Sequence, residues 1–191
     1  MRFDFVPFFH PGQNIPWTQT LDYMRQQTQL AEDAGFTTVW VTEHHFAHNG
    51  YLNAPPNPIL VCADLALHSN TIRVGQAPVV LPDWHPLRVA EDIAMLDNMT
   101  DGRVDFGVAR GIPERASIQF NPEADKRDGD KSFRIMRESL DIILKAWTQV
   151  PFSYQGEFYQ FPVPGWKEAN QFLRPFDGRY YAEDGEYVGM Y

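Results

Sequence analysis

Three histidines and a carboxylate lie close together, in the order Glu43, His44, His45 and His48. They follow a run of β-branched and aromatic residues over 37–42, which predicts a strand. An imidazole titrates near neutrality, so a histidine here could act as a general acid or base. His44 and His48 are four residues apart and could instead hold a metal, although the pattern is not His-Glu-x-x-His. Hydrogen bonding within a loop is the third interpretation, and the position at a strand end favours catalysis.

Arg110 is the second candidate, because it follows a predicted strand over 104–108 and is flanked by glycines. A guanidinium offers a fixed, forked set of donors that suits a phosphate group. An ion pair to Glu43 or Glu91 is the structural alternative. The segment is not a P-loop, because the Lys-Ser/Thr pair is missing.

Pro78 interrupts a third predicted strand, which covers 72–81. Proline has no N–H to donate, so it marks a bulge, an edge or a cis peptide. Small residues such as Gly75 and Ala77 would let a flat ligand approach the backbone closely. A simple irregularity of the strand explains the pattern equally well.

Two further patterns lie near the start of a helix predicted over 86–102. Glu91 and Asp92 could simply favour the N-terminal dipole of that helix. His85, immediately before the helix, is predicted to be a cap or a packing residue.

The order of elements predicts an α/β fold. Strands over 3–9, 37–42, 72–81 and 104–108 alternate with helical patterns, which cover 18–35, 57–70, 86–102 and 132–147. Repeated strand-then-helix units predict parallel strands joined by right-handed crossovers. No Gly-x-Gly-x-x-Gly follows the first strand, so a (β/α)8 barrel is favoured over a doubly wound sheet. A barrel would bring the ends of its strands to one mouth.

The length constrains this barrel. An eight-unit barrel takes roughly 250 residues, whereas this chain has 191 residues and shows four units. We therefore expect one domain over 1–191 that contains the first four units and stops before a fifth strand. A β-hairpin with Gly156 in its turn is predicted over 154–159.

Composition excludes several classes of partner. The chain has 25 acidic against 16 basic residues, a net charge of −9, which disfavours nucleic acids and anionic membranes. There is no apolar run of roughly 18 residues and no signal sequence, so a cytoplasmic location is expected. Cys62 lies in an apolar run and is predicted to be a buried thiol.

Several motifs in the same order carry a resemblance to a known family. They are Thr42-Glu43-His44-His45-Phe46, the segment from Val74 to Pro82, the segment from His85 to Asp92, and the segment from Gly102 to Gly111. Together they closely resemble the bacterial luciferase-like flavin monooxygenases, from Phe3 to about Trp147. The resemblance implies a (β/α)8 barrel that binds reduced FMN supplied by a separate flavin reductase. It also implies that O2 forms a C4a-peroxyflavin, which oxygenates a small organic substrate.

The resemblance also assigns roles to individual residues. His44 matches the catalytic histidine, and Arg110 matches the arginine that contacts the flavin phosphate. Ala77 and Pro78 match the segment, often joined by a cis peptide, that lies against the isoalloxazine ring. Glu91 matches a carboxylate at the mouth, and no metal is implied.

Other interpretations remain open at this point. A deazaflavin could replace FMN, because relatives of this barrel use that cofactor. The chain could be a non-catalytic flavin-binding fragment or subunit that needs a partner half, in a homo- or heterodimer. A metal-dependent enzyme would use Glu43, His44 and His48. Ala109 stands where the luciferase α chain has a reactive cysteine, which argues for a monooxygenase rather than a light emitter.

Overall fold

A computed structural model describes residues 2–7, 15–46, 55–112, 117–165 and 189. The strands in these ranges are β1 (Asp4–Phe5), β2 (Thr38–Val41), β3 (Arg73–Gln76), β4 (Val79–Val80), β5 (Val104–Asp105), β6 (Val108–Ala109), β7 (Tyr154–Gln155) and β8 (Gln160–Phe161). The α-helices are α1 (Trp17–Asp33), α2 (Pro58–Leu67), α3 (Pro86–Met99), α4 (Ser117–Phe120) and α5 (Gly129–Thr148). Two short 3-10 turns cover Leu81–Asp83 and Pro122–Ala124.

The main sheet is parallel and has the order β1-β2-β3-β5. Thr38 pairs with Arg73, and Val74 pairs with Val104. The helices α1, α2 and α3 connect successive strands, so the predicted α/β fold with a parallel sheet is confirmed. Apolar side chains on one face of β2 and β3 are fully buried in the main hydrophobic cluster, which α2 and α3 share.

The helices α2 and α5 each begin directly after a residue whose side chain caps them. The side chain of Asn57 accepts a hydrogen bond from the Leu60 N–H at 3.0 Å, as expected of a residue that caps α2. Asp128 caps α5 in the same way through the Lys131 N–H at 3.0 Å. The helix α5 therefore begins three residues before the predicted start at 132. The helix α2 ends at Leu67, short of the predicted end at 70.

Two of the predicted strands are each divided in the structure. The strand expected over 72–81 is β3 followed by β4, and the one expected over 104–108 is β5 followed by β6. The first break contains the Ala77–Pro78 bond, which is cis. Across it the Val79 N–H donates to the Gly107 carbonyl at 2.8 Å, and β4 pairs with β6. A Cβ on Gly107 would lie 2.2 Å from the Gln76 carbonyl oxygen, so only glycine fits there.

The predicted hairpin is confirmed. The strands β7 and β8 are antiparallel, with Tyr154 opposite Phe161. The Gly156 N–H donates to the Tyr159 carbonyl at 2.9 Å and closes the turn.

A single carboxylate on α5 fixes the tip of this hairpin. Glu138 accepts hydrogen bonds from the backbone N–H groups of Glu157, Phe158 and Tyr159, at 2.9–3.2 Å. Three consecutive amides are therefore held by one side chain, which joins the hairpin to the middle of α5.

The single cysteine is buried, as predicted. Cys62 is a free thiol with no exposed surface. Burial raises the pKa of its thiol to about 12, because the thiolate would lose its hydration.

In the part of the chain that the structure describes, no helix is both long and apolar enough to cross a membrane.

Glu32, near the end of α1, ties that helix to the start of β3. Its carboxylate accepts hydrogen bonds from the backbone N–H groups of Asn70, Thr71 and Ile72 and from the Thr71 hydroxyl. Burial works against ionisation of this carboxyl group, but the hydrogen bonds outweigh it and lower its pKa to about 2. The ionised form is therefore the one that stabilises the fold.

We expect Glu32→Gln to lower the free energy of unfolding by about 1–2 kcal/mol at neutral pH, because an amide replaces a charged acceptor. A carboxyl group whose pKa is lower in the folded state stabilises the protein at pH values above its ordinary pKa of 4.5. The difference from the parent should therefore be complete above about pH 5 and shrink toward pH 2. Urea unfolding at several pH values measures it.

Asp33→Asn is the matched control, because it removes the neighbouring carboxylate at an exposed position. A loss of stability that is equal in the two variants would contradict a specific role for Glu32.

Candidate active site

A cavity of about 440 Å³ lies where β2, β4 and β6 end. Its lining includes residues from three successive strand ends, namely Thr42, Glu43, His44, His45, Ala77, Pro78, Val80, Ala109, Arg110, Gly111 and Ile112, together with Asp83 and Lys126. The structure thus brings His44, Ala77, Pro78 and Arg110 to one cavity, as parallel strands require. Their chemical roles stay predictions at this stage.

His44 lies on the wall formed by the segment after β2. It is half-buried, and its backbone N–H donates to the Pro55 carbonyl at 3.0 Å. This contact fixes the backbone of the segment from which the His44 side chain reaches the cavity.

Glu43 is a buried anchor beneath that wall. Its side chain has no exposed surface. One carboxylate oxygen accepts the Val80 N–H at 2.9 Å, and the other accepts the Trp84 indole N–H at 3.0 Å. His45 Nε2 lies 2.8 Å from that second oxygen, so Nε2 carries the hydrogen, since a carboxylate only accepts. The segment after β2 is therefore joined to β4 and to the turn that follows it.

Arg110 lies on another wall, beside the start of α5. Its Nη1 donates to the Lys126 carbonyl at 3.2 Å and to the Ser132 hydroxyl at 3.1 Å. The ion pairs considered as alternatives do not form in the structure, since Glu43 binds the groups above and Glu91 binds Arg88. The guanidinium is thus oriented by neutral oxygens and keeps its positive charge at the cavity.

Sequence reasoning missed a buried ion pair in the cavity wall. Lys126 Nζ lies 3.0 Å from Asp83 Oδ2, and the two side chains are only 2% and 3% exposed. Burial raises the pKa of Asp83, and the neighbouring Lys126 ammonium opposes that rise. Gly111 has a φ of +77° beside this pair, and a Cβ there would lie 2.7 Å from Lys126 Nζ. Lys126 lies in a polar run that gives no signal of burial.

Glu91 lies apart from these groups. Its side chain is 70% exposed, pairs with Arg88 at 3.0 Å and does not line the cavity. The prediction that Glu91 and Asp92 interact favourably with the N-terminal dipole of the helix is wrong. The helix α3 begins at Pro86 and has no acidic residue in its first turn. The contact of Glu91 with a flavin stays a prediction.

His85 is a packing residue, as one of the two alternatives predicted. Its ring lies edge-on to those of Tyr159 and Phe161, with centroids 6.1 and 5.6 Å away. Burial lowers the pKa of His85, since the charged imidazolium would lose hydration there.

The metal hypothesis depends on His48, which lies outside the described residues. Within those residues, no three His, Cys, Asp or Glu side chains are grouped closely enough to hold a metal ion.

The chemistry of the lining suits a flavin mononucleotide. Ala77, Pro78 and Ala109 give small apolar surfaces against which a flat ring can lie, and Arg110 supplies a cation for an anionic group. The volume is within the range of roughly 300–1,000 Å³ typical of cofactor sites.

Comparison with known proteins gives relatives that are monooxygenases. The oxygenase component of a flavin-dependent trigonelline monooxygenase from Acinetobacter baylyi is 34% identical over 85% of this chain and 43% of its own length. An alkanal monooxygenase alpha chain from the Kryptophanaron alfredi symbiont is 36% identical over the same shares. This chain thus spans less than half the length of these relatives.

Solved structures agree in fold. The oxygenating constituent of 3,6-diketocamphane monooxygenase from Pseudomonas putida, a type II Baeyer-Villiger monooxygenase in complex with FMN, superposes with a TM-score of 0.71. It is 27% identical in sequence, and the match covers 84% of this chain and 44% of that one. The family model described as luciferase-like monooxygenase matches residues 1–178. A match over so much of the sequence shows that this chain belongs to the luciferase-like monooxygenase family.

Proposed function

We propose that this chain is the flavin-binding portion of an oxygenase that uses reduced FMN and O2, with a separate flavin reductase supplying the FMN. The observation that carries the proposal is the cavity in which His44, the Ala77–Pro78 segment and Arg110 converge. When bound, reduced FMN supplies two electrons to O2, so that one oxygen atom enters an organic substrate and the other leaves as water.

Arg110 holds the phosphate of FMN in this proposal. Its contacts with Lys126 and Ser132 fix the guanidinium before the ligand arrives, which reduces the entropy lost on binding. Ala77 and Pro78 form the small apolar surface for the flavin ring. The wall is held by the bonds that link Ala77 to Val41 and Val79 to Gly107.

In this proposal His44 transfers a proton through its imidazole ring. It lines the same cavity as the Ala77–Pro78 segment, and an imidazole can act as a general acid or a general base. Glu43 is not the base, because its oxygens accept hydrogen bonds from Val80, Trp84 and His45. The buried carboxylate instead keeps the segment that carries His44 in place.

In this proposal residues 1–191 form one domain, and this domain supplies four units of a (β/α)8 barrel. Among the described strands, β1 pairs only with β2, and β5 pairs only with β3. Because each of these strands is paired on one side, its other edge can pair with another chain. This favours a second interpretation, in which the chain binds flavin and needs a partner half or a second subunit for turnover.

We expect Arg110→Ala to weaken the binding of reduced FMN roughly 10- to 100-fold, the effect of losing hydrogen bonds to a charged group. Anaerobic titration of the chain with reduced FMN measures this change. Riboflavin, which lacks the phosphate, should bind the parent and the variant equally.

Arg88→Ala is the matched control, because Arg88 is an exposed arginine outside the cavity lining. Equal losses of FMN affinity in the two variants would argue against the phosphate contact. If the parent binds a deazaflavin more tightly than FMN, the deazaflavin becomes the proposed cofactor.

We expect His44→Ala to lower turnover by roughly 10²- to 10⁴-fold while FMN binding stays within about two-fold, as for a lost general acid or base. O2 consumption is measured with a flavin reductase present and with an alkanal, a cyclic ketone or an N-methylpyridinium compound as the substrate. These probes follow the substrates that appear in the names of the relatives described above.

His68→Ala is the control, since His68 caps the far end of α2. Unfolding of the His44 variant would assign that histidine a structural role. If the chain binds FMN but consumes O2 at a rate that does not depend on the substrate, the second interpretation is favoured. In that interpretation the chain binds flavin and needs a partner for turnover. Stoichiometric zinc, iron or manganese in the purified protein would overturn the flavin proposal.

A further inference from the structure

A buried ion pair lies next to the segment that carries Arg110. Lys126 Nζ lies 3.0 Å from Asp83 Oδ2, and the two side chains are 2% and 3% exposed. Asp83 belongs to the 3-10 turn that follows β4, whereas Lys126 lies between the second 3-10 turn and α5. The pair therefore attaches the segment before α5 to the turn after β4, and both residues line the cavity at the strand ends.

The same lysine contacts Arg110 through its main chain. The Lys126 carbonyl accepts a hydrogen bond from Arg110 Nη1 at 3.2 Å. The Lys126 ammonium also lies against Gly111, the residue after Arg110, since a Cβ on that glycine would be 2.7 Å from Lys126 Nζ. Lys126 thus lies against both the head group of Arg110 and the backbone that follows it.

The residues on either side of Lys126 do not share its inward position. Asp125 and Arg127 pair with each other, and the Arg127 side chain is 77% exposed. The Asn121 side chain donates to the Pro82 carbonyl at 3.1 Å, which links the same two regions earlier in the chain. Among the described polar side-chain contacts of residues 125–127, the bond from Lys126 to Asp83 is the one that holds residue 126 against the cavity wall.

The energetics of a buried ion pair favour an effect on geometry over an effect on stability. Removing two charges from water is costly, and their mutual attraction does little more than offset that cost, so apolar replacements are often neutral or stabilising. The pair does fix a geometry, because each buried charge has to stay next to its partner. Its removal is therefore expected to change the orientation of Arg110 rather than the fold.

We propose that Asp83 and Lys126 form a positioning pair, which holds the guanidinium of Arg110 in the orientation that receives the phosphate of FMN. This role rests on the proposed function, because it concerns the same phosphate contact. A donor that is fixed before the ligand arrives loses less conformational freedom on binding. The pair acts through Arg110 and adds no net charge of its own, since its two charges balance.

Two double variants separate the link between these side chains from their charges. The apolar variant, Asp83→Ala with Lys126→Met, removes both charges and the hydrogen bond. The amide variant, Asp83→Gln with Lys126→Gln, removes the same charges and keeps a hydrogen bond, because one side chain becomes one bond longer and the other one bond shorter. Both variants keep the net charge at −9.

We expect the apolar variant to bind reduced FMN roughly three- to ten-fold more weakly than the parent, the effect of one misdirected hydrogen bond. The amide variant should stay within about two-fold of the parent. Reduced riboflavin, which lacks the phosphate, should bind all three proteins equally. Anaerobic titration measures these affinities, and the ratio of the FMN affinity to the riboflavin affinity is the readout that a purely structural role would not change.

Asp125→Ala with Arg127→Met is the matched control, because it removes an ion pair from the same segment without touching the cavity lining. Its ratio of FMN to riboflavin affinity should equal that of the parent. A loss in this control as large as that in the apolar variant would overturn the proposal. An equal loss in the apolar and amide variants would do the same, because it would assign the effect to the charges.

Crystal structures of the apolar and amide variants without ligand give a second measurement, which does not depend on flavin. We expect Arg110 Nη1 to leave the carbonyl of residue 126 in the apolar variant and to keep this hydrogen bond in the amide variant. Retention of the bond in the apolar variant would overturn the positioning role.

The remaining outcomes separate this inference from the proposed function. If Arg110→Ala weakens FMN binding and the apolar variant does not, the proposed function stands and the positioning role is rejected. If the parent binds FMN no more tightly than riboflavin, the phosphate contact is wrong, and the crystal structures decide whether the pair orients Arg110. If the apolar variant does not fold, Asp83→Leu with Lys126→Met keeps more of the buried volume. Unfolding of that variant as well would assign the pair a purely structural role and overturn the proposal.

Discussion

The cavity depends on a carboxylate that is removed from water. An ionised side chain with no exposed surface costs several kcal/mol unless its oxygens are hydrogen-bonded. Glu43 meets this condition through the Val80 amide, the Trp84 indole and His45. These donors come from two different strand ends, so satisfying one charge also fixes the distance between the walls of the cavity.

Positive charge is distributed unevenly in this acidic chain. The net charge is −9, yet Arg110 and Lys126 both line the cavity at the strand ends. The Lys126 ammonium is neutralised by Asp83 at 3.0 Å, whereas the described contacts of Arg110 Nη1 are with uncharged oxygens. The two cations therefore differ in their surroundings, because a carboxylate balances the charge of Lys126 and the two Nη1 contacts of Arg110 leave its charge unbalanced.

Much of this arrangement follows from local sequence. The βα order predicts a parallel sheet, and such a sheet dictates that His44 and Arg110, which follow different strands, meet at one edge. The predicted start of α5 at 132 is three residues late, because the stripe of apolar residues begins after the helix does and only the cap at Asp128 marks its first turn. The Asp83–Lys126 pair joins residues 43 positions apart, and no local pattern reveals such a contact.

The clamp between Glu138 and the hairpin has a mechanical consequence. Because three consecutive amides bind one carboxylate of α5, the hairpin tip and that helix are linked as one body. The same helix carries Ser132, which orients Arg110, and the tip carries Phe158 and Tyr159. A shift of the hairpin tip would therefore move α5, and with it the Ser132 hydroxyl that orients the guanidinium.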